Sequence, residues 1–282
     1  MPELPEVQTV SSDLKKYLLG FTFEKVEIEP GYKALPDNET FKKKLVGQKI
    51  IRIYRIAKNI VIELASEDSL VFHLAMTGQV LLSDPKTRKF SHERVTFVLD
   101  NGKKSLGLKF RDVRMFGKVV VVTKSEIEAM QNRYGPEPIN PDLTAEEFLA
   151  QIKSKRSSIK NVLLDQEIIS GLGNIYATDA LFMAKIHPQT STSLISLKQA
   201  EKLLQTAKEI LLEGIEHRGS TLEDKGFVDA LGKYGTHQNY FRIYNKTTCA
   251  VCNSKVCVIK INGRSTYFCP SCQPEGNQPT LL

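Results

Sequence analysis

The chain has no apolar run long enough to cross a bilayer, a span that takes about 20 residues as a helix, so an integral helical membrane protein is excluded. It also lacks the apolar core of a secretory signal, because Glu3, Glu6, Asp13, Lys15 and Lys16 interrupt its opening stretch. No low-complexity composition is present. These absences predict a cytoplasmic protein, in which the five cysteines are metal ligands or free thiols rather than disulfides. What is there is ample for globular structure: 282 residues with 41% hydrophobic content, a length that favours two domains over one. The net charge of +7 points weakly to a polyanionic partner such as nucleic acid.

From Gly20 to about Thr123 the pattern alternates as in strands, through FTFEKVEIEP, KIIRIYRI, NIVIELA, SLVFHLAM, RVTFVLD and KVVVV, which reads as a β-sandwich. Ahead of it, VQTVSSDLKKYLLG has apolar residues at helical spacing and closes on Gly20, so a helix begins a few residues into the chain and anchors its tip. Residues 133–143, RYGPEPINPDL, carry three prolines and read as a linker. Beyond it the period lengthens to that of a helix in TAEEFLAQI, IKNVLLDQEII, IYATDALFMAKI and SLKQAEKLLQTAKEILLEGIEH, with Thr144 and Glu147 forming a capping box for the first.

Two CxxC pairs, Cys249 with Cys252 and Cys269 with Cys272, stand at the spacing of a tetrahedral structural zinc, and four thiolates leave no open position for catalysis. Cys257 lies outside both pairs and reads as a small core residue. Between the pairs runs VCVIKINGRSTYF, two strands joined by Asn262-Gly263, the residue pair suited to a type I′ turn. Arg264 therefore sits at the tip of a metal-stapled ribbon, placed to fork onto a phosphate. A second anion site is expected at Ser170-Gly-Leu-Gly-Asn-Ile-Tyr176, where glycines precede a helix start and Asn174 follows. Lys153, Lys155, Arg156 and Lys160 lie just upstream and are expected to face a DNA backbone.

Six separated motifs then agree. Pro2-Glu3-Leu4-Pro5-Glu6-Val7, Ala57-Lys58, His73-Leu-Ala-Met76-Thr-Gly78, Arg111-Asp-Val-Arg114-Met-Phe116-Gly117, Asp165-Gln166 with Gly171-Leu-Gly-Asn-Ile-Tyr176, and the four-cysteine finger with Gly263-Arg264 resemble formamidopyrimidine-DNA glycosylase from residue 2 to residue 272. The resemblance implies an α+β multidomain fold: a catalytic β-sandwich over 1–132, a linker over 133–143, a helix-two-turn-helix DNA-binding domain with a lesion-recognition loop over 144–240 and a zinc finger over 241–282, with duplex DNA in the cleft.

By the same resemblance, removal of Met1 would expose the Pro2 amine, whose pKa of about 8 leaves much of it neutral where a lysine, at about 10.4, is protonated. Pro2 would attack C1′ of a damaged nucleotide, Glu3 would protonate the opening sugar, Lys58 and Arg264 would hold phosphate and assist strand cleavage, and Glu6 would position the terminus. Met76, Arg114 and Phe116 match the wedge that fills the space left by the extruded nucleotide, and His73, His92, Arg111, Lys155 and Asn174 match contacts to DNA. The implied protein is a monomer with one structural zinc and no nucleotide cofactor. It excises oxidised purines (8-oxoguanine and formamidopyrimidines) and cleaves the abasic site by β,δ-elimination. The alternatives are an endonuclease VIII-like enzyme for oxidised pyrimidines, whose members begin Pro-Glu-Gly-Pro where Leu4 stands here, and a non-catalytic zinc ribbon. The chain departs from the family in Ala75 for a glycine, Asp179 for a glutamate, a segment before Cys249 that is two residues shorter, His217-Arg218 in place of small residues, and His237 where an aromatic is common.

Overall fold

Alternation is cleanest in β6 (Glu93–Asp100), where Glu93, Val95, Phe97 and Leu99 are buried and the residues between them half-buried. That pattern needs an apolar layer on one face, and the structure, a computed structural model describing residues 2–87, 89–223 and 226–275, supplies it. Antiparallel strands build two four-stranded sheets. One has the order β1 (Thr22–Ile28), β6, β7 (Ser105–Asp112), β5 (Gly78–Ser83); the other β2 (Ile50–Ile56), β3 (Asn59–Leu64), β4 (Ser69–His73), β8 (Lys118–Val122). Phe97 of β6 meets Phe23 of β1 and Phe72 of β4 edge to face at 5.6 and 6.0 Å, and Phe72 meets Phe110 of β7 at 5.8 Å, so aromatic rings from both sheets fill one core.

The first helix, α1 (Leu4–Leu18), begins earlier than its apolar periodicity suggests. Glu3 and Glu6 form a reciprocal capping box, with the Glu3 amide donating to Glu6 Oε2 at 2.8 Å, and Pro5 fits the first turn, where its missing amide costs nothing. Leu4, Val7, Val10, Leu14 and Leu18 make the buried stripe, and the helix lies against β2 and β3. Two short helices, α2 (Asn38–Leu45) and α3 (Lys124–Arg133), complete this part.

The second part is helical: α4 (Ala145–Lys153), α5 (Ile159–Leu164), α6 (Asn174–Met183) and most of α7 (Leu197–Glu216), followed by the ribbon β9 (Cys257–Ile261) and β10 (Arg264–Phe268). The Thr144–Glu147 capping box is formed, whereas α5 stops at Leu164 because Gln166 turns its side chain to the loop, accepting from Gly171 N and donating to Leu172 O. Compact units do not follow the chain order expected of the domains. Residues 1–132 and 214–238 form one unit, and residues 133–213 and 239–282 the other. Residues 214–238, expected within the 144–240 domain, join the sandwich because Phe227 and Ala230 enter its core and Leu82 N donates to Ala230 O at 2.7 Å.

Candidate functional site

Pro2 is buried directly ahead of α1, and Glu3 and Glu6 behind it are 1% and 2% exposed. Two acidic side chains this deep demand partners. Besides the amide of Glu3, Glu6 accepts the Ser220 amide through Oε1 at 2.7 Å. Gly219 comes so close that a Cβ there would stand 2.8 Å from Glu6 Cγ, and its φ of +81° is one only glycine adopts freely. Met1, whose removal the Pro2 chemistry requires, lies outside the described residues.

Lys58 occupies the tight β2–β3 turn beside Ala57, held in the left-handed region at φ 48°. A non-glycine residue there costs roughly 1–2 kcal/mol, offset by Arg55, which donates to Ala57 O at 2.6 Å and to Gln8 of α1 at 3.0 Å. His73, at the end of β4, shares Nδ1 with Asn59 Oδ1 at 3.0 Å. Burial lowers its pKa, and the positive charges of Lys58 and Lys118 lower it further.

Met76 and Phe116, which the resemblance matches to the wedge, are 39% and 54% exposed on the loops after β4 and β7. The Arg114 guanidinium lies over the Phe116 ring at 4.8 Å. Both loops close on Asp112, fully buried, which accepts from Thr77 Oγ1 at 2.5 Å, Arg114 N at 3.2 Å and Gly117 N at 2.7 Å. Asp112 was not singled out in the sequence; it closes a strand, Ser105–Asp112, in which Lys109 and Arg111 already break the apolar pattern. Ala75, where the family has glycine, sits at φ 49°. Arg111 is held by Ser91 O and Gln79 Oε1, and His92 is exposed with φ 60°.

In the helical unit, Asn174 opens α6 and donates through Nδ2 to Ser265 O at 2.9 Å, next to Arg264. Lys155, Asn161, Asp165, Asn262 and Arg264 line a pocket of about 440 Å³, with Lys155 paired to Asp165 at 3.0 Å. Asn262 and Gly263 have φ 47° and 75°, the left-handed pair a type I′ turn requires. Lys160 does not join this face. It is fully buried, donating to Asn174 O and Thr178 Oγ1 at 2.8 and 2.5 Å, so its ammonium supports the start of α6 from behind instead of facing a DNA backbone. Asp179 accepts three consecutive amides, Arg242, Ile243 and Tyr244, at 2.8–3.0 Å, with Lys160 acting on it electrostatically. The shorter aspartate thus still anchors the segment leading to the ribbon.

The four cysteine sulfurs lie within 4.8 Å of one another, with Cys252–Cys269 at 3.4 Å and Cys249–Cys272 at 3.9 Å. A tetrahedron with metal–sulfur bonds of about 2.3 Å has edges near 3.8 Å, so the thiols fit a metal ion. Burial and the neighbouring sulfurs push Cys272 up to about 12, while Ser254 hydrogen bonds hold Cys252 down to about 6. Cys257 stays outside the cluster.

The buried acidic corner of one unit offers groups suited to proton transfer, and the ribbon of the other presents a cation suited to a polyanion. The comparisons make that specific. The N-terminal domain of formamidopyrimidine-DNA glycosylase matches residues 1–119, and its H2TH domain matches residues 134–225. The formamidopyrimidine-DNA glycosylases of Chloroflexus aurantiacus and Lactobacillus helveticus are 37% and 36% identical, over 99% and 97% of this chain and 100% and 99% of their own. Lactococcus lactis Fpg bound to DNA containing an abasic site superposes with a TM-score of 0.89 at 32% identity, covering 97% of this chain and 100% of that one. The chain belongs to the formamidopyrimidine-DNA glycosylase family.

Proposed function

We propose that the chain excises oxidised purines, 8-oxoguanine and formamidopyrimidines, from duplex DNA and then cleaves the abasic site by β,δ-elimination. The observation that carries this is the buried Pro2 joined directly to Glu3, the buried cap of α1. With Met1 removed, the Pro2 nitrogen forms a bond to C1′ as the C1′–base bond breaks, and Glu3 protonates the sugar oxygen as the ring opens. The resulting iminium acidifies C2′, whose proton leaves as the 3′ phosphate is expelled, and loss of a second proton, from C4′ of the conjugated product, expels the 5′ phosphate. Lys58 in its strained turn offsets phosphate charge, as does Arg264 on the ribbon, and Asn174 adds a neutral contact. The four cysteines hold one zinc ion, which closes the ribbon and takes no part in bond making.

Lactococcus lactis Fpg has also been captured with DNA containing N7-benzyl-Fapy-dG and with DNA containing an oxidised pyrimidine, and the second favours a wider substrate range as a second reading. A panel of duplexes with one lesion each decides. Faster excision of 8-oxoguanine and formamidopyrimidines than of oxidised pyrimidines is expected; the reverse order moves the chain to the pyrimidine class, and no lesion-dependent cleavage leaves only a DNA-binding ribbon protein.

A further inference from the structure

Where α7 ends, the chain takes a residue the backbone does not favour. Arg218 has φ 59°, a left-handed position where glycine is unstrained and a side chain such as arginine is disfavoured. Its side chain explains why it stands there. Arg218 Nη2 reaches Asp13 Oδ2 of α1 and Asp229 Oδ2, both at 2.6 Å, with Nε adding a contact to Asp229 at 3.1 Å. These carboxylates are 10% and 1% exposed, so the contacts are charge-assisted bonds with little solvent screening at the acceptors. Asp229 is itself fixed, since its Oδ1 accepts the Leu231 and Lys233 amides at 2.9 and 2.8 Å.

The next two residues meet the same helix. Gly219 packs on Glu6 and Ser220 donates to it, and Glu6 lies seven residues before Asp13, two turns along one face of α1. Residues 218–220 are therefore gripped at two points of the helix that carries Glu3 at its cap. We propose that Arg218 is a positioning residue for the glycosylase reaction: by bridging Asp13 and Asp229 it holds Gly219 and Ser220 against Glu6, and so fixes the Glu6–Glu3 pair and the terminus ahead of it. The proposal rests on the reading of Pro2 and Glu3 given above.

Arg218→Gly makes the test sharp, because it relieves the backbone while removing the bridge. Active sites are counted by borohydride trapping, and single-turnover release of 8-oxoguanine is measured per trapped site. Thermal midpoint and affinity for undamaged duplex are measured alongside. Expected for Arg218→Gly is a loss of roughly tenfold in rate per site, with affinity within twofold and an unchanged or raised midpoint. Asp13→Asn should cost as much, the double variant no more, and Arg218→Lys should recover part of the rate. A rate per site within twofold of wild type overturns the proposal, as does a loss accounted for by a lower midpoint. If Glu3→Gln keeps the wild-type rate, the reading of Glu3 fails on its own evidence and the role of Arg218 falls with it.

Discussion

The two candidate centres are held in opposite ways. The Pro2–Glu3 corner stands on α1, whose apolar stripe is sunk in a core shared with both sheets of the sandwich, and its polar atoms close on one another and on Ser220. Arg264 stands on a two-stranded ribbon whose buried cluster is Phe182, Ile243, Cys249, Val256 and Cys269, two of which are the thiols themselves. Val258 of the ribbon and Val251, between the first pair of cysteines, face solvent. A hairpin this small is marginal alone. On the reading proposed above, the comparison teaches that the nucleophile would be positioned by packing, which is rigid on the scale of a bond, whereas the phosphate contact, on a ribbon whose own buried cluster is small, would be positioned by a metal.

The strongest way to break this comparison is to cap the packed centre covalently. Protein that retains Met1, or carries a tag ahead of Pro2, should lose base release and borohydride cross-linking by roughly a thousandfold or more, with the fold intact. In processed protein the cross-link should map to the peptide that begins at Pro2. A full cross-link in blocked protein transfers the chemistry to a lysine, with Lys58 first in line.

Next in size is the metal-held centre. Chelation, or Cys269→Ser, should lower DNA affinity by on the order of a hundredfold, because a structural zinc contributes ~10 kcal/mol to local folding and the ribbon carrying Arg264 is released with it. The strand signal in circular dichroism and the core of the sandwich should persist. Metal analysis should find one zinc per chain, and active protein without zinc defeats the assignment.

How much of this could be read beforehand divides along the same line. Spacing-encoded features were legible: the two cysteine pairs, the Asn262-Gly263 turn and the Thr144–Glu147 cap each depend on a few neighbouring residues. Features that depend on what arrives from elsewhere in the chain were not. Strands β5 and β7 were hidden by Gly78 and Gly107, which look like turn residues; β7 carries glycine at 107 where its partner Ser83 comes so close that a Cβ would stand 2.6 Å from Ser83 Oγ. The charge on Lys160 reads as one that faces a DNA backbone until Asn174 and Thr178 close over it. Phe227 and Ala230 gave no sign that residues 214–238 belong to the sandwich, and the helices α2 and α3 are short and polar. Met76 and Phe116 were legible only through the family resemblance, since hydrophobicity alone buries them.

A smaller effect separates positioning from reading. Arg264→Ala should weaken binding to damaged and undamaged duplex alike, by about tenfold, because a charge-assisted contact contributes about 1.5–3 kcal/mol and carries no sequence information. The slope of log affinity against log salt should flatten by roughly one unit. Asn174→Ala, a neutral contact, should cost less and leave the slope unchanged. A variant that loses lesion preference at constant affinity contradicts the phosphate assignment.

The smallest expected effect tests the packed centre through its stability. His73 has its pKa lowered on folding, first by burial and then by Lys58 and Lys118. The unfolded chain therefore binds the proton more readily, starting at the ordinary histidine value of about 6.5. Stability from this group is complete above that pH and is lost as pH falls from there toward the folded pKa, each unit of lowering being worth about 1.4 kcal/mol. The thermal midpoint of the wild type should fall between pH 7.5 and 5.5, and His73→Gln, which keeps a group able to bond Asn59, should fall less over the same range. Adding Lys58→Met to wild type should also reduce the fall, because one of the charges that disfavours the imidazolium is gone. If the wild type and His73→Gln fall in parallel, the acid sensitivity belongs to other groups, and His187, whose pKa burial also lowers, is the first to test.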